Sequence, residues 1–145
     1  MGGGRGGMGP RGPPRPLRPF EKVDREKVCP FLLRVFPCEG GHHRESEFIS
    51  INSVPSGEVH LYTWSDATFS EISNLLRNVN ESMRVPGVRL SYAVVAPNHQ
   101  GQFHGREVAV LNPQGGDGQL TLGQVGLEPG DFLDVAVFTR RRNHF

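Results

Sequence analysis

Apolar residues recur with a period of two along several short runs bounded by Pro and Gly, which predicts a chain built mainly of half-buried strands. The first run is Phe31–Phe36, expected to stop at Pro30 and Pro37 because proline cannot donate to a ladder. Its alternation puts Phe31, Leu33 and Val35 on one face and Leu32, Arg34 and Phe36 on the other. A second run, Glu58–Trp64, divides into Val59, Leu61 and Thr63 against His60, Tyr62 and Trp64. Further strands are expected over Arg89–Ala96, Arg106–Leu111 and Phe132–Phe138, with a Gly-rich loop over Asn112–Gln119. One segment changes period. Thr68-Phe69-Ser70-Glu71 has the form of a capping box, with Asp66 as a rival cap, and Phe69, Ile72, Leu75, Leu76 and Val79 then fall on one helical stripe.

Two strands, a helix, two strands, a turn-rich bridge and a last strand match an α+β, ubiquitin-like β-grasp domain: a mixed five-stranded sheet of order 2-1-5-3-4 crossed by one main helix. The stretch Pro37–Gly57 is a long insertion where a hairpin would use two to five residues, and its Phe48, Ile49, Ile51 and Val54 argue that part of it packs. If the helix covers the face of Leu33, Val35, Val59, Leu61, Leu133, Val135 and Val137, the opposite face shows Leu32, Arg34, Phe36, His60, Tyr62, Trp64, Asp134 and Phe138. That is the aromatic-rich, charge-poor composition of an interface core. Either this face meets a partner, or the insertion folds back and covers it.

Charge divides the chain into three parts. The net charge is +1 overall, but residues 24–139 carry eight Lys/Arg against fourteen Asp/Glu, a net of −6, and the excess positive charge sits at both ends. A body this acidic repels phosphate backbones. Sixteen of the first nineteen residues are Gly, Pro or Arg, so residues 1–22 read as a disordered arm, 23–139 as the domain and 140–145 as a basic tail. The arm contains a single Gly-Arg-Gly-Gly unit, so contact with RNA would be indirect or confined to these ends. No apolar run approaches the length of a bilayer span, no secretory core follows Met1, and Gly6 stands where a myristoylation signal needs Ser or Thr. Two cysteines make no disulfide framework and favour a reducing compartment.

Candidate chemistry is thin. Cys29, Cys38, His42 and His43 are competent zinc ligands, but an extended strand between the cysteines holds them roughly 25–30 Å apart at ~3.3 Å per residue, which excludes a shared metal and a disulfide. No cofactor or small-molecule substrate is expected. There is no Gly-x-Ser-x-Gly elbow, no phosphate-binding loop ending Gly-Lys-Ser/Thr and no His-Glu-x-x-His. Asp131 and Asp134 read as a turn residue and a solvated strand residue, not as an acid/base pair. The chain ends Arg142-Asn143-His144-Phe145, without the Gly-Gly a conjugated modifier needs. The expectation is a non-enzymatic protein that binds other proteins, through Leu32, Arg34, Phe36, His60, Tyr62 and Trp64 or through His42, His43 and Arg44 in the insertion.

Asp24-Arg25-Glu26-Lys27, Cys29-Pro30, Leu33-Arg34-Val35-Phe36, His42-His43-Arg44, Tyr62-Thr63-Trp64 with Asp66-Ala67-Thr68, and Gly130-Asp131 before an apolar strand together resemble the family of the eighteen-kilodalton Sin-three-associated polypeptide, over about residues 23–139. The resemblance implies a ubiquitin-like fold, a nuclear location, no catalysis and membership of histone deacetylase corepressor complexes. It also implies assembly with Acinus or Pinin and an RRM-containing splicing factor. The Gly/Arg/Pro-rich arm and a short C-terminal tail depart from the family pattern.

Overall fold

A computed structural model describes residues 15–139; segments 1–14 and 140–145, most of the expected arm and the whole tail, lie outside the described residues. The strands are β1 (Phe31–Glu39), β2 (Val59–Thr63), β3 (Arg89–Pro97), β4 (Phe103–Asn112), β5 (Gly115–Gly116) and β6 (Phe132–Phe138), with one α-helix, α1 (Phe69–Arg77). They form a single mixed sheet of order β2-β1-β6-β3-β4-β5. β1 and β6 run parallel, and every other neighbouring pair is antiparallel. The described residues are therefore α+β, with six strands where five were expected. The extra strand comes from the predicted Gly-rich loop. Gly116 approaches so closely that a Cβ there would lie 2.3 Å from the Val110 carbonyl oxygen, so only Gly lets the chain fold back onto β4.

β1 also runs past Pro37 instead of stopping there. β2 pairs with β1 only as far as Val35, whereas β6 pairs opposite Pro37 at Val135. Proline is tolerated because the strand that its missing N–H would serve has already left.

α1 starts where the capping box placed it: Thr68 Oγ1 accepts the Glu71 N–H at 3.1 Å. Asp66, the rival cap, instead accepts the Val23 N–H at 3.0 Å. The expected stripe is corrected at its far end. α1 closes at Arg77, so Val79 lies beyond it and is 62% exposed, and Leu75 is 36% exposed. Phe69, Ile72, Ser73 and Leu76 form the buried face instead. Ser73 belongs there because its hydroxyl meets the Tyr92 hydroxyl at 2.7 Å, satisfying both buried polar groups. Burial pushes the Tyr92 hydroxyl well above its ordinary range.

The helix side of the sheet holds the main core, including Leu33, Val35, Phe69, Ile72, Tyr92, Leu133 and Val135. A second, smaller core lies on the other side, where Phe36, Phe48, Val95 and Phe132 are buried with Val54 and Phe103 against them.

Candidate partner-binding surface

The face opposite α1 is split in two. Over its centre the 40–57 insertion folds back. Phe48 packs edge-on to Phe36 at 5.2 Å and lies 5.8 Å from Phe132, which stacks on Phe103 at 5.3 Å. Phe36, expected among the exposed partner-binding residues, is fully buried under this cover. The physical reason is area: three large rings left open would keep several hundred Å² of apolar surface in water, and one Phe from the insertion removes it.

Beneath the cover, Asp134 stands in the middle of an otherwise apolar strand and is fully buried, so it is not the solvated residue that alternation suggested. Its carboxylate accepts from His42 Nδ1 and His43 Nδ1, both at 2.6 Å, and from the His43 N–H at 3.2 Å. Burying a carboxylate is tolerable only when its lone pairs are met this fully. His42 reaches on through Nε2 to Ser91 Oγ at 2.9 Å, and Ser91 donates to Glu107. Burial works against a charged His43, but the hydrogen bond and charge of Asp134, then the charge of Glu47, prevail and hold its imidazole above the ordinary value. Burial, then the carboxylates of Asp134, Glu47 and Glu39, pushes the Cys38 thiol up, away from a reactive thiolate. A third tie fixes the insertion to β4, where Glu45 accepts the Gly105 N–H at 2.8 Å.

Asp134, His42 and Ser91 are connected like a hydrolytic triad, but the connection cannot act as one. Ser91 is 2% exposed and spends its proton on Glu107, so no acyl group can reach its oxygen. The arrangement is a clamp that fastens the insertion to the sheet.

The other part of the face, over β1 and β2, stays open. Leu32 and Tyr62 are cross-strand partners, 37% and 67% exposed, with Ile51 of the insertion 62% exposed. Ile51 is joined to this strip because its carbonyl accepts from Arg34 at 2.8 Å. Arg34 and His60, the next cross-strand pair, both bind Glu58, and the Arg34 guanidinium lies over the Phe132 ring at 4.9 Å. The hydrogen bond and charge of Arg34 hold the Glu58 carboxyl low, against its partial burial. β2 is an edge strand, so among the described residues its outward backbone groups have no ladder partner.

Trp64 leaves the set at the end of β2. Its indole N–H donates to the Val28 carbonyl at 2.7 Å, and the Arg25 guanidinium lies 4.8 Å over its ring. Arg25 is held by Asp66 at 2.7 Å and Glu71 at 3.0 Å, so Trp64 anchors the lead-in segment. Arg44 is exposed at the start of the insertion's short 3₁₀ turn.

The structure thus brings together Leu32, Arg34, His60 and Tyr62, withdraws Phe36, and turns His42 and His43 inward. Glu58, Ser91 and Glu107 were missed by sequence reasoning. Ser91 and Asp134 carried a signal nonetheless: a polar residue inside an apolar central strand must have a partner.

Cys29 lies exposed before β1 and Cys38 near the strand's far end, both as free thiols. Among the described residues, no helix is long and apolar enough to cross a membrane.

Comparison with known proteins accounts for most of the chain. Histone deacetylase complex subunit SAP18 of Arabidopsis thaliana is 44% identical over 122 residues, covering 81% of this chain and 80% of the relative. The proteins of the same name from Drosophila melanogaster and Homo sapiens are 42% and 38% identical, covering 79% and 77% of those relatives and 81% and 79% of this chain. All three bear the name of a complex subunit and not of an enzyme. With residues 22–137 also matching the family model described as Sin3 associated polypeptide p18 (SAP18), the chain belongs to that family.

Proposed function

We propose that this chain is a non-enzymatic nuclear adaptor, a subunit of a histone deacetylase corepressor complex, and that the same domain, residues 23–139, serves an Acinus- or Pinin-type splicing assembly containing an RRM protein. Family membership supports the first assignment, since relatives matched over more than three-quarters of their length are named as subunits of such complexes. The strand order, with a central parallel β1–β6 pair and one helix on one face, supports a ubiquitin-like β-grasp reading.

The observation that carries the mechanism is the open edge: β2, unpaired on its outer side among the described residues, with the exposed Leu32–Tyr62 pair and Ile51. An extended partner segment would add to β2 as a further strand. Main-chain hydrogen bonds would set its register, and Leu32, Tyr62 and Ile51 would supply apolar contacts for alternate side chains. Arg34 and His60, both already bound by Glu58, would frame that strip and contribute register more than affinity.

The test is Tyr62→Ala and Leu32→Ser, measured for affinity to an Acinus-type peptide and for recovery of deacetylase subunits from nuclear extract. A hot-spot anchor is worth about 2 kcal/mol, so affinity should fall at least tenfold with melting unchanged. Unchanged affinity in both variants would retire the edge as the docking site.

A further inference from the structure

A separate cluster lies away from the β2 edge, where the lead-in segment crosses the loop between β5 and β6. The Arg18 N–H donates to the Gln124 carbonyl at 2.9 Å, and Arg18 Nη1 donates to Glu128 at 2.8 Å, so this arginine is fixed at both ends. Arg106 projects from β4 into the same place. A Cβ on Gly126 would lie 3.2 Å from Arg106 Nη2 and 3.6 Å from Arg18 Nη2, so two guanidinium groups converge on one bare backbone position. Arg15 adds a third positive charge that acts on both Arg106 and Asp131.

The charges around Arg106 do not balance. It is half-buried, and among the described residues its guanidinium makes no hydrogen bond or ion pair, although it carries five donors. Burial first, then Arg15 and Arg18, disfavour its charge, while Asp131 alone favours it. Asp131 is occupied by the Glu128 N–H at 2.9 Å, and Glu128 by Arg18. Three positive charges therefore share two carboxylates, both with other work, and Arg106, the least solvated of the three, has no acceptor among the described residues.

We propose that Arg106, Arg18 and Arg15 form a receptor for a phosphate group carried on a protein, a phosphorylated Ser or Thr in a partner segment. A phosphate brings the dianionic charge and the several acceptor oxygens that the converging forks of Arg106 and Arg18 can satisfy, with Arg15 adding positive charge. RNA fits less well, because its backbone needs a basic stripe spanning several nucleotides, whereas this patch is a single point bordered by Asp131 and Glu128 on a body of net charge −6. Gly126, in the left-handed region at φ 84°, adds no side chain that would push the two guanidinium groups apart.

The experiment uses the full chain with four probes: inorganic phosphate, a pool of short peptides with a central phosphoserine, the same pool with serine, and a single-stranded oligouridine. Arg18→Gln and Arg106→Gln are compared with the unsubstituted protein by titration and by melting. Arg18 lies outside any helix or strand, so its substitution reads binding apart from folding. The expected result is that inorganic phosphate binds weakly, the phosphoserine pool binds roughly tenfold or more tighter than the serine pool, and each substitution abolishes the difference. Failure of both phosphate probes, or binding that survives both substitutions, would overturn the site. Oligouridine binding tighter than the phosphoserine pool and lost in the same variants would overturn the assignment to a protein partner.

Discussion

The two parts of the sheet face opposite α1 have similar composition and opposite fates. Phe36, Phe132 and Asp134 lie under the insertion with almost no exposure, while Leu32 and Tyr62, in the neighbouring cross-strand row of the same face, remain in water. Both carry aromatic and aliphatic side chains, so hydrophobicity alone does not distinguish them. The difference lies in which part has a carboxylate to hold the cover down. Asp134 fixes His42 and His43, the insertion follows, and Phe48 is delivered onto Phe36. Over β1 and β2 the corresponding charges, Arg34 and Glu58, satisfy each other within the sheet edge and its flank; Arg34 also holds the Ile51 carbonyl of the insertion, but that bond leaves the Ile51, Leu32 and Tyr62 side chains in water.

The comparison breaks most severely at Asp134. Asp134→Ala removes the acceptor shared by two histidines and leaves polar groups buried without partners, which should cost about 3–5 kcal/mol in urea unfolding. The insertion should become the first site of limited proteolysis. Phe48→Ala should cost about 3 kcal/mol by exposing the second core, and should leave main-core packing around Tyr92 unchanged in fluorescence and near-ultraviolet dichroism.

A pH series sharpens the contrast. His43 faces Asp134, His42 and Glu47, and its folded value is raised. Its stabilisation is therefore fully present below the unfolded value of 6.5 and fades as pH rises through the folded value. Protease resistance of the insertion should decline above about pH 6.5, and His43→Gln should flatten that slope.

Smaller effects are expected outside the clamp. Arg25→Ala removes a partly exposed fork and the cover of Trp64, and should cost about 1 kcal/mol with a visible change in Trp emission. Tyr62→Ala, on the open part, should change stability by no more than about 0.5 kcal/mol. A large loss there would mean that the exposed strip is structural and not a docking edge.

Local signals located the elements well. Thr68 caps α1 as its capping box indicated, and the strand order of the five longer strands is the one the element sequence implies, because burial of one face sets each strand's register. Local signals failed where the answer depended on a distant group. Pro37 would end a strand paired on both sides, but only the arrangement of β2 and β6 reveals that one side is vacant. Val79 continues the helical stripe on paper, yet α1 has already ended at Arg77.

The sequence by itself determined an α+β chain, its cap, its apolar faces and the family motifs, since these rest on neighbouring residues and periodicity. Only the tertiary structure decided which part of the aromatic face is covered. That outcome depends on His42 and His43 meeting Asp134 across about ninety residues of chain, and on Arg34 choosing Glu58. Pattern along the chain reports which side chains prefer burial; the geometry of their polar partners determines which of them achieve it.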